Sequence, residues 1–239
     1  MLNNLRKIYS PNFDSKKRKA RNIKFIILHY TGMQKEKNAI NRLTDTNSKV
    51  SCHYLITNSG EIINLVPDLY VSWHAGKSHW KNIKSLNSSS LGIEISNPGH
   101  KNGYSDFRKQ QIKSIIYLIS TLKKRYKIKN KNILGHSDIA PDRKKDPGEK
   151  FPWKFMFDQK LSIWHNLDEK KLQKLRGQEC SDLEVLKFLN TLKVIGYKSK
   201  NKISMIKAFQ RRFRQKLISS KIDKECLFIA ISLVKNNYY

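Results

Sequence analysis

Acidic side chains are scarce in this chain: 19 Asp and Glu stand against 48 Lys and Arg, a formal net charge of +29. Such a surplus favours polyanions, whether nucleic acid, anionic lipid headgroups or an acidic polymer. Solvated lysine-rich faces give the same number, so charge alone names no partner. Cysteine is sparse as well. Cys52, Cys180 and Cys226 have no paired spacing and no C-x-x-C, which argues against a disulfide framework and suits a reducing compartment. Long apolar runs are missing. No stretch approaches the length of a membrane span. The opening Met-Leu-Asn-Asn-Leu-Arg-Lys-Ile-Tyr-Ser lacks the apolar core of a secretory leader, so the expectation is a chain without a standard signal peptide. There is no internal repeat and no low-complexity tract. Hydrophobic residues make up 38% and aromatics 10% of 239 residues, enough for a proper core and against disorder. That length holds one large domain, or a domain of about 150 residues and a small one.

Basic residues concentrate at two places: residues 1–24 hold eight Lys/Arg and one acid, and residues 198–221 hold nine and none. Residues 1–22 read as an extended basic arm. Residues 23–28, nearly continuous and β-branched, predict a buried central strand ending at His29. A short helix fits 37–45. A hairpin is signalled by 53–57, the turn Asn58-Ser59-Gly60, and 61–66. Residues 91–96 alternate as a strand and stop at Asn97-Pro98-Gly99. Phe107, Ile112, Ile115, Ile116, Ile119 and Leu122 share one helical face. A further short strand, 132–135, leads to His136. Strands interleaved with helices predict an α/β domain over 23–165, with a single mixed central sheet flanked by helices. Residues 166–179 read as a charged linker. Ser181-Asp-Leu-Glu184 is a capping box that opens a helix ending near Gly196. Helices over 203–216 and 223–235 complete a small three-helix domain spanning 180–239.

The chemistry concentrates in His136-Ser-Asp-Ile-Ala-Pro-Asp-Arg-Lys144-Lys-Asp146-Pro-Gly. Histidine and aspartate are both good zinc ligands, and one distant histidine can complete the set. Three protein ligands keep a fourth position for water, the arrangement of hydrolytic rather than structural zinc. His29 ends an apolar strand, as His136 does, and a single such histidine is more often structural. Glu94 shifts the balance. It lies between Ile93 and Ile95 on a strand that would not turn a charge inward without need. A carboxylate that is not a ligand can carry a proton from water to a leaving amine, which fits Glu94. A cation beside the metal can hold an oxyanion, which fits Lys144, while Lys145 would point into solvent. Two rival readings compete. His136-Ser-Asp138 is an H-x-D pair that could join a distant His as the facial triad of a non-haem iron oxygenase, but that leaves Lys144, Asp146 and Glu94 without work. Cys52 beside His53 suggests a thiol nucleophile but lacks an orienting partner.

His29 before Tyr30-Thr31, Ser51-Cys-His53-Tyr-Leu-Ile, Trp73-His74-Ala-Gly, Gly92-Ile-Glu94-Ile and Gly135-His136-Ser-Asp-Ile-Ala-Pro with Arg-Lys144-Lys-Asp146-Pro-Gly resemble, in order and spacing, the zinc N-acetylmuramoyl-L-alanine amidases of the AmpD/AmiD type. That family shares its fold with peptidoglycan-recognition proteins, and the resemblance covers about residues 20–160. It implies one zinc ion on His29, His136 and Asp146, and catalytic roles for Glu94 and Lys144. His53 and His74 lie within these motifs and would either line the substrate site or serve a structural role, and Trp73 would either stack on sugar or peptide or pack in the core. The substrate implied is the amide between the muramic acid lactyl group and L-alanine, in peptidoglycan or muropeptides. A non-catalytic peptidoglycan-recognition module is the competing function; such relatives have replaced a metal ligand, and all three are present here. Ile195-Gly-Tyr197 and Ile206-Lys-Ala-Phe-Gln-Arg-Arg-Phe213-Arg resemble the three-helix peptidoglycan-binding domain of AmiD-type enzymes, although Ser219-Ser-Lys-Ile-Asp223-Lys-Glu departs from its usual Gly-rich turn. Weak polyanion binding through the basic surface is a side expectation. The leader and thiol readings point to the cytoplasm, whereas a wall-binding tail points to action in the periplasm or at the cell wall.

Overall fold

Two strands rich in β-branched residues form the centre of the molecule, and the rest of the sheet is laid out from them. The computed structural model describes residues 5–236. In chain order it begins with β1 (Arg6–Lys7), β2 (Phe13–Asp14), β3 (Phe25–Tyr30) and α1 (Glu36–Thr44). The hairpin follows as β4 (Tyr54–Ile56) and β5 (Ile62–Asn64), then β6 (Val71–Ser72), β7 (His79–Trp80), β8 (Ile83–Lys84) and β9 (Ser90–Ile95). Next come α2 (Lys109–Tyr126), β10 (Ile133–Gly135), α3 (His136–Ile139) and α4 (Trp153–Asp158). The chain closes with α5 (Glu169–Leu175), α6 (Asp182–Ile195), α7 (Lys202–Phe213) and α8 (Lys224–Lys235).

Six strands make the main sheet in the order β1-β5-β4-β9-β3-β10. The run β4, β9, β3, β10 is parallel, β5 is antiparallel to β4, and β1 lies parallel to β5. The sheet is therefore mixed, as the α/β pattern predicts, and two separate two-stranded ribbons, β2-β6 and β7-β8, accompany it. Alternation along the strands sorts residues to two faces. Tyr54, Ile56, Ile93 and Ile95 join the cluster that contains Ile115, Leu118, Ile119 and Leu122 of α2. Leu55 joins Leu43 of α1 with Cys52, Ile63 and Leu65. Glu94 pairs across the strands with both His29 and Leu55, so His29 and Glu94 rise side by side from that second face.

The structure refines three sequence readings. The segment before Ile23 is extended, and over its described part it is tied to the domain. An extended chain satisfies its backbone groups at an open sheet edge, and here β1 pairs with β5 while β2 pairs with β6. The buried Arg18 guanidinium donates to the carbonyls of Asp68, Asn87 and Ser90. Residues 1–4 of that arm, and 237–239 of the tail, lie outside the described residues. The charged stretch 166–179 holds α5, whose N-cap Asp168 accepts from the Lys171 amide at 2.9 Å and whose Leu172 is buried; one apolar anchor is too little for a periodicity signal. The dense basic run near 198–221 is only partly a cationic surface. Arg211, Arg212 and Arg214 are buried and face the carboxylates of Glu149, Asp138 and Asp223.

The capping box of α6 forms as its sequence dictates, with reciprocal bonds between Ser181 and Glu184. The C-terminal helices share one hydrophobic cluster with the sheet through Phe188, Phe209, Phe213, Trp153 and Trp164. Among the described residues, no helix is long and apolar enough to cross a membrane.

Candidate active site

The C-terminal ends of β3 and β10 bring His29 and His136 together, and the loop after α3 returns Asp146 to them. His29 Nδ1, His136 Nδ1 and Asp146 Oδ2 form a triangle with edges of 2.8, 3.0 and 3.0 Å. All three residues are buried. Hydrogen bonds on the far side of each ring decide which nitrogen faces the centre. The Leu86 carbonyl can only accept, so the Ser90 hydroxyl, 2.6 Å away, donates to it. Ser90 Oγ then accepts from His74 Nε2 at 3.1 Å. His74 Nδ1 is left to accept from His29 Nε2 at 3.0 Å, so His29 Nδ1 carries a bare lone pair. His136 Nε2 faces the Ala75 carbonyl at 3.1 Å, and a neutral ring that donates there turns an Nδ1 lone pair to the centre. With both rings neutral in this sense, three lone pairs converge and repel one another, a repulsion that either a shared proton or a cation between them relieves. The edges fall within a few tenths of an ångström of the roughly 3.3 Å separation that tetrahedral zinc with bonds of about 2.0 Å requires. The donor set therefore fits a metal ion.

Charge and burial reinforce this arrangement. Burial, then the neighbouring His136, pushes the His29 imidazole down to about 4. Burial, then His29, holds His74 well below the usual histidine range. Burial acts upward on Asp146, but His136 and His29 outweigh it and hold that carboxyl well below its ordinary value. Burial and then the Asp146 charge push Glu94 up to about 8, with Lys144 opposing. Glu94 Oε2 is buried without a hydrogen-bond partner, an expensive state for a structural carboxylate. Glu94 and Lys144 both line the same cavity as the three converging residues, a space of about 400 Å³.

The remaining expected site residues divide. His74 lines the cavity, and its ring lies against Gly92, where a Cβ would come within 2.4 Å of it. Trp73 also lines the cavity, its Nε1 donating to Asp14 at 2.7 Å. His53 does not line it. Its ring nitrogens meet the Gly92 amide, Ser72 Oγ, the Tyr70 carbonyl and Arg18, contacts that favour the structural of its two readings. Asp138 does not join the histidines either. Its oxygens are taken by Arg212, Tyr197 and the Gly135 amide, which removes the facial-triad reading. Burial pushes the Cys52 thiol well above its usual range, the opposite of what a nucleophile needs. Exposed Lys145, expected in solvent, reaches the cavity rim.

Sequence reasoning missed one wall. Tyr30 OH and His100 Nδ1 lie 2.8 Å apart, and His100 Nε2 sits 3.0 Å from Glu149. Tyr104 stacks on His100 with ring centres 4.3 Å apart. The usable signal was glycine. Gly99 and Gly148 both have positive φ, and a Cβ there would fall 2.6 Å from the Tyr30 ring or 2.4 Å from Tyr104 OH.

Two expectations follow from this geometry. Ser90→Ala removes the acceptor that orients His74 and, through it, His29. Metal affinity should fall about 10- to 100-fold, measured by chelator competition. The acid stability of the metal-free protein follows from its neutral buried histidines. His29, His53 and His165 are pushed to about 4, 3 and 4, in each case first by burial. The unfolded chain takes up protons near pH 6.5, so it binds more protons than the folded chain between there and about pH 4. The histidine contribution is therefore fully present above pH 6.5 and drains as pH falls through that window, outweighing the opposite contribution of the single raised carboxyl of Glu94. Thermal unfolding of chelator-treated protein across pH 7 to 4 reads this directly, and a flat Tm would refute it.

Converging bare imidazoles, a carboxylate, and a proton-carrying acid beside an amine are the groups of metal-assisted hydrolysis. The sequence profile of the N-acetylmuramoyl-L-alanine amidases matches residues 19–149, and the chain belongs to that family. It is 32% identical over 231 residues to N-acetylmuramoyl-L-alanine amidase AmiD of Escherichia coli, covering 89% of this chain and 83% of that protein. It is 40% identical over 105 residues to the E. coli 1,6-anhydro-N-acetylmuramyl-L-alanine amidase AmpD, covering 44% of this chain and 55% of that one. The fold matches E. coli AmiD in complex with anhydro-N-acetylmuramic acid-L-Ala-D-γ-Glu-L-Lys with a TM-score of 0.79 and 31% identity, over 93% of this chain and 91% of that structure.

Proposed function

We propose that this chain hydrolyses the amide joining the lactyl group of N-acetylmuramic acid to L-alanine in peptidoglycan or its muropeptide fragments. One zinc ion per chain would be held by His29, His136 and Asp146. The observation that carries the reading is the convergence of two histidine Nδ1 atoms on the buried Asp146 carboxylate. The muropeptide bound to the solved AmiD relative supports the substrate class.

When bound, zinc supplies Lewis acidity to a water molecule and to the scissile carbonyl. Glu94 Oε2, free of other partners, takes the proton from the attacking water and returns it to the departing L-alanine nitrogen. The ionised form of a carboxyl lifted to about 8 by burial is the stronger base toward that water, and its protonated form holds the proton between the two transfers. Lys144 Nζ stabilises the developing oxyanion from the same cavity. Lys144→Met should lower kcat by about a hundredfold or more while zinc stays bound. His74 orients His29, and Trp73 offers a ring to the sugar or peptide.

Residues 23–165 are proposed as the catalytic domain and 180–239 as a peptidoglycan-binding-like unit. The described part of the 1–22 segment and the 166–179 segment pack onto these two. The lysines left outside internal ion pairs support weak, salt-sensitive polyanion binding. Unpaired Cys52, Cys180 and Cys226 are compatible with a reducing compartment.

Mass spectrometry of anhydro and ordinary muropeptides incubated with zinc-loaded protein tests the function. A peptide with a free L-alanine amino terminus should appear and should vanish with chelator. Retention of muropeptide without cleavage would instead identify a recognition module.

A further inference from the structure

Side chains from α7 and from the segments that follow α6 and α7 reach across to the loop that carries His136, Lys144 and Asp146. Arg212 of α7 is almost fully buried. Its Nη1 donates to Asp138 Oδ2 at 2.5 Å and its Nη2 to the Ile133 carbonyl at 3.0 Å. Its guanidinium lies 4.3 Å from the Trp153 ring. Tyr197 OH donates to the other Asp138 oxygen at 2.7 Å. Gln215 Nε2 donates to the carbonyls of Glu149 and Phe151 at 2.5 and 2.6 Å. The contacts grip both ends of the loop, at Asp138 just after His136 and at Glu149 just after Asp146.

Asp138 converts that grip into placement of a ligand. Its Oδ2 also accepts from the Gly135 amide at 2.8 Å, the bond that caps α3, and His136 is the first residue of α3. The Ser137 amide donates to the Asp146 carbonyl at 2.8 Å, so a shift of α3 moves both ligands. Stripped of Arg212, the Asp138 carboxylate would be a buried charge without its ion-pair partner, a state relieved by moving the side chain and the turn it caps.

We infer that the C-terminal three-helix unit clamps the ligand-bearing loop, with Arg212 and Tyr197 as positioning residues that hold His136 through Asp138. This rests on the reading of His29, His136 and Asp146 as metal ligands. It gives the unit a part in building the reaction centre, separate from any hold on the cell-wall polymer. Arg214 provides a matched control. It is as well buried and pairs with Asp223 and Glu225, but these lie inside the helical unit and not on the loop.

The test is the zinc dissociation constant of full-length protein by chelator competition, with a thermal melt of each variant. Arg212→Met should weaken zinc binding about 10- to 100-fold. Tyr197→Phe should weaken it to a smaller extent. Arg214→Met should lower Tm but keep the wild-type zinc constant. Equal zinc constants for wild type and Tyr197→Phe, or a loss in Arg214→Met as large as in Arg212→Met, would overturn the clamp. Should Arg212→Met fail to fold, Tyr197→Phe against Arg214→Met decides by the same criterion. Wild-type protein that takes up no zinc would overturn the metal reading and the clamp with it. Wild-type zinc binding with unaltered Arg212→Met and Tyr197→Phe overturns the clamp alone.

Discussion

Glu94→Gln should cut turnover by about two to four orders of magnitude while leaving fold and bound zinc intact. The substitution keeps the shape of the side chain and removes only its capacity to carry a proton. Burial, followed by the Asp146 charge, lifts the Glu94 carboxyl to about 8, so a neutral amide is at least as comfortable there. The residue is not among the three converging donors, and metal content should not change. Single-turnover kinetics on a muropeptide, with zinc measured in the same sample, checks both halves. Full turnover in zinc-loaded Glu94→Gln protein would remove the residue from the mechanism.

Asp146→Ala should be the more severe change, with loss of both metal and reaction. Two neutral imidazoles hold a divalent ion far more weakly than two imidazoles with a carboxylate, since the anion supplies the charge that offsets the ion's desolvation. No turnover above that of chelator-treated wild type is expected, and adding zinc should not restore it at concentrations that saturate the wild type. His136→Ala should behave in the same way, because its Nδ1 is one corner of the triangle. A variant that lost zinc but kept activity would sever the link between this site and the chemistry.

The parts legible in the sequence were those with a strong local signal. The β-branched run ending at His29, the hairpin around Asn58-Ser59-Gly60, the alternation around Glu94 and the capping box at Ser181 each announce one element. The motif around His136 places two candidate ligands only ten residues apart, so little folding knowledge was needed to join them. Elements made by tertiary context escaped. β1 and β2 are two-residue strands created by neighbouring edges, and no periodicity exists over two residues. α5 hides within a charged stretch because Leu172 is its one buried anchor. The basic run near 198–221 shows composition misleading outright. Charge counting cannot tell a solvated lysine from Arg212, whose partner Asp138 lies 74 residues away. His53 shows the converse, a histidine inside a recognisable motif whose hydrogen bonds all serve the scaffold.

Elemental analysis of the purified protein, beside Glu94→Gln and Asp146→Ala prepared in parallel, is the most direct measurement. About one zinc ion per chain is expected in the wild type and in Glu94→Gln, and almost none in Asp146→Ala. A fully active wild type without a divalent ion, or an Asp146→Ala protein with its metal undiminished, would contradict the assignment of His29, His136 and Asp146 as the metal-holding triad.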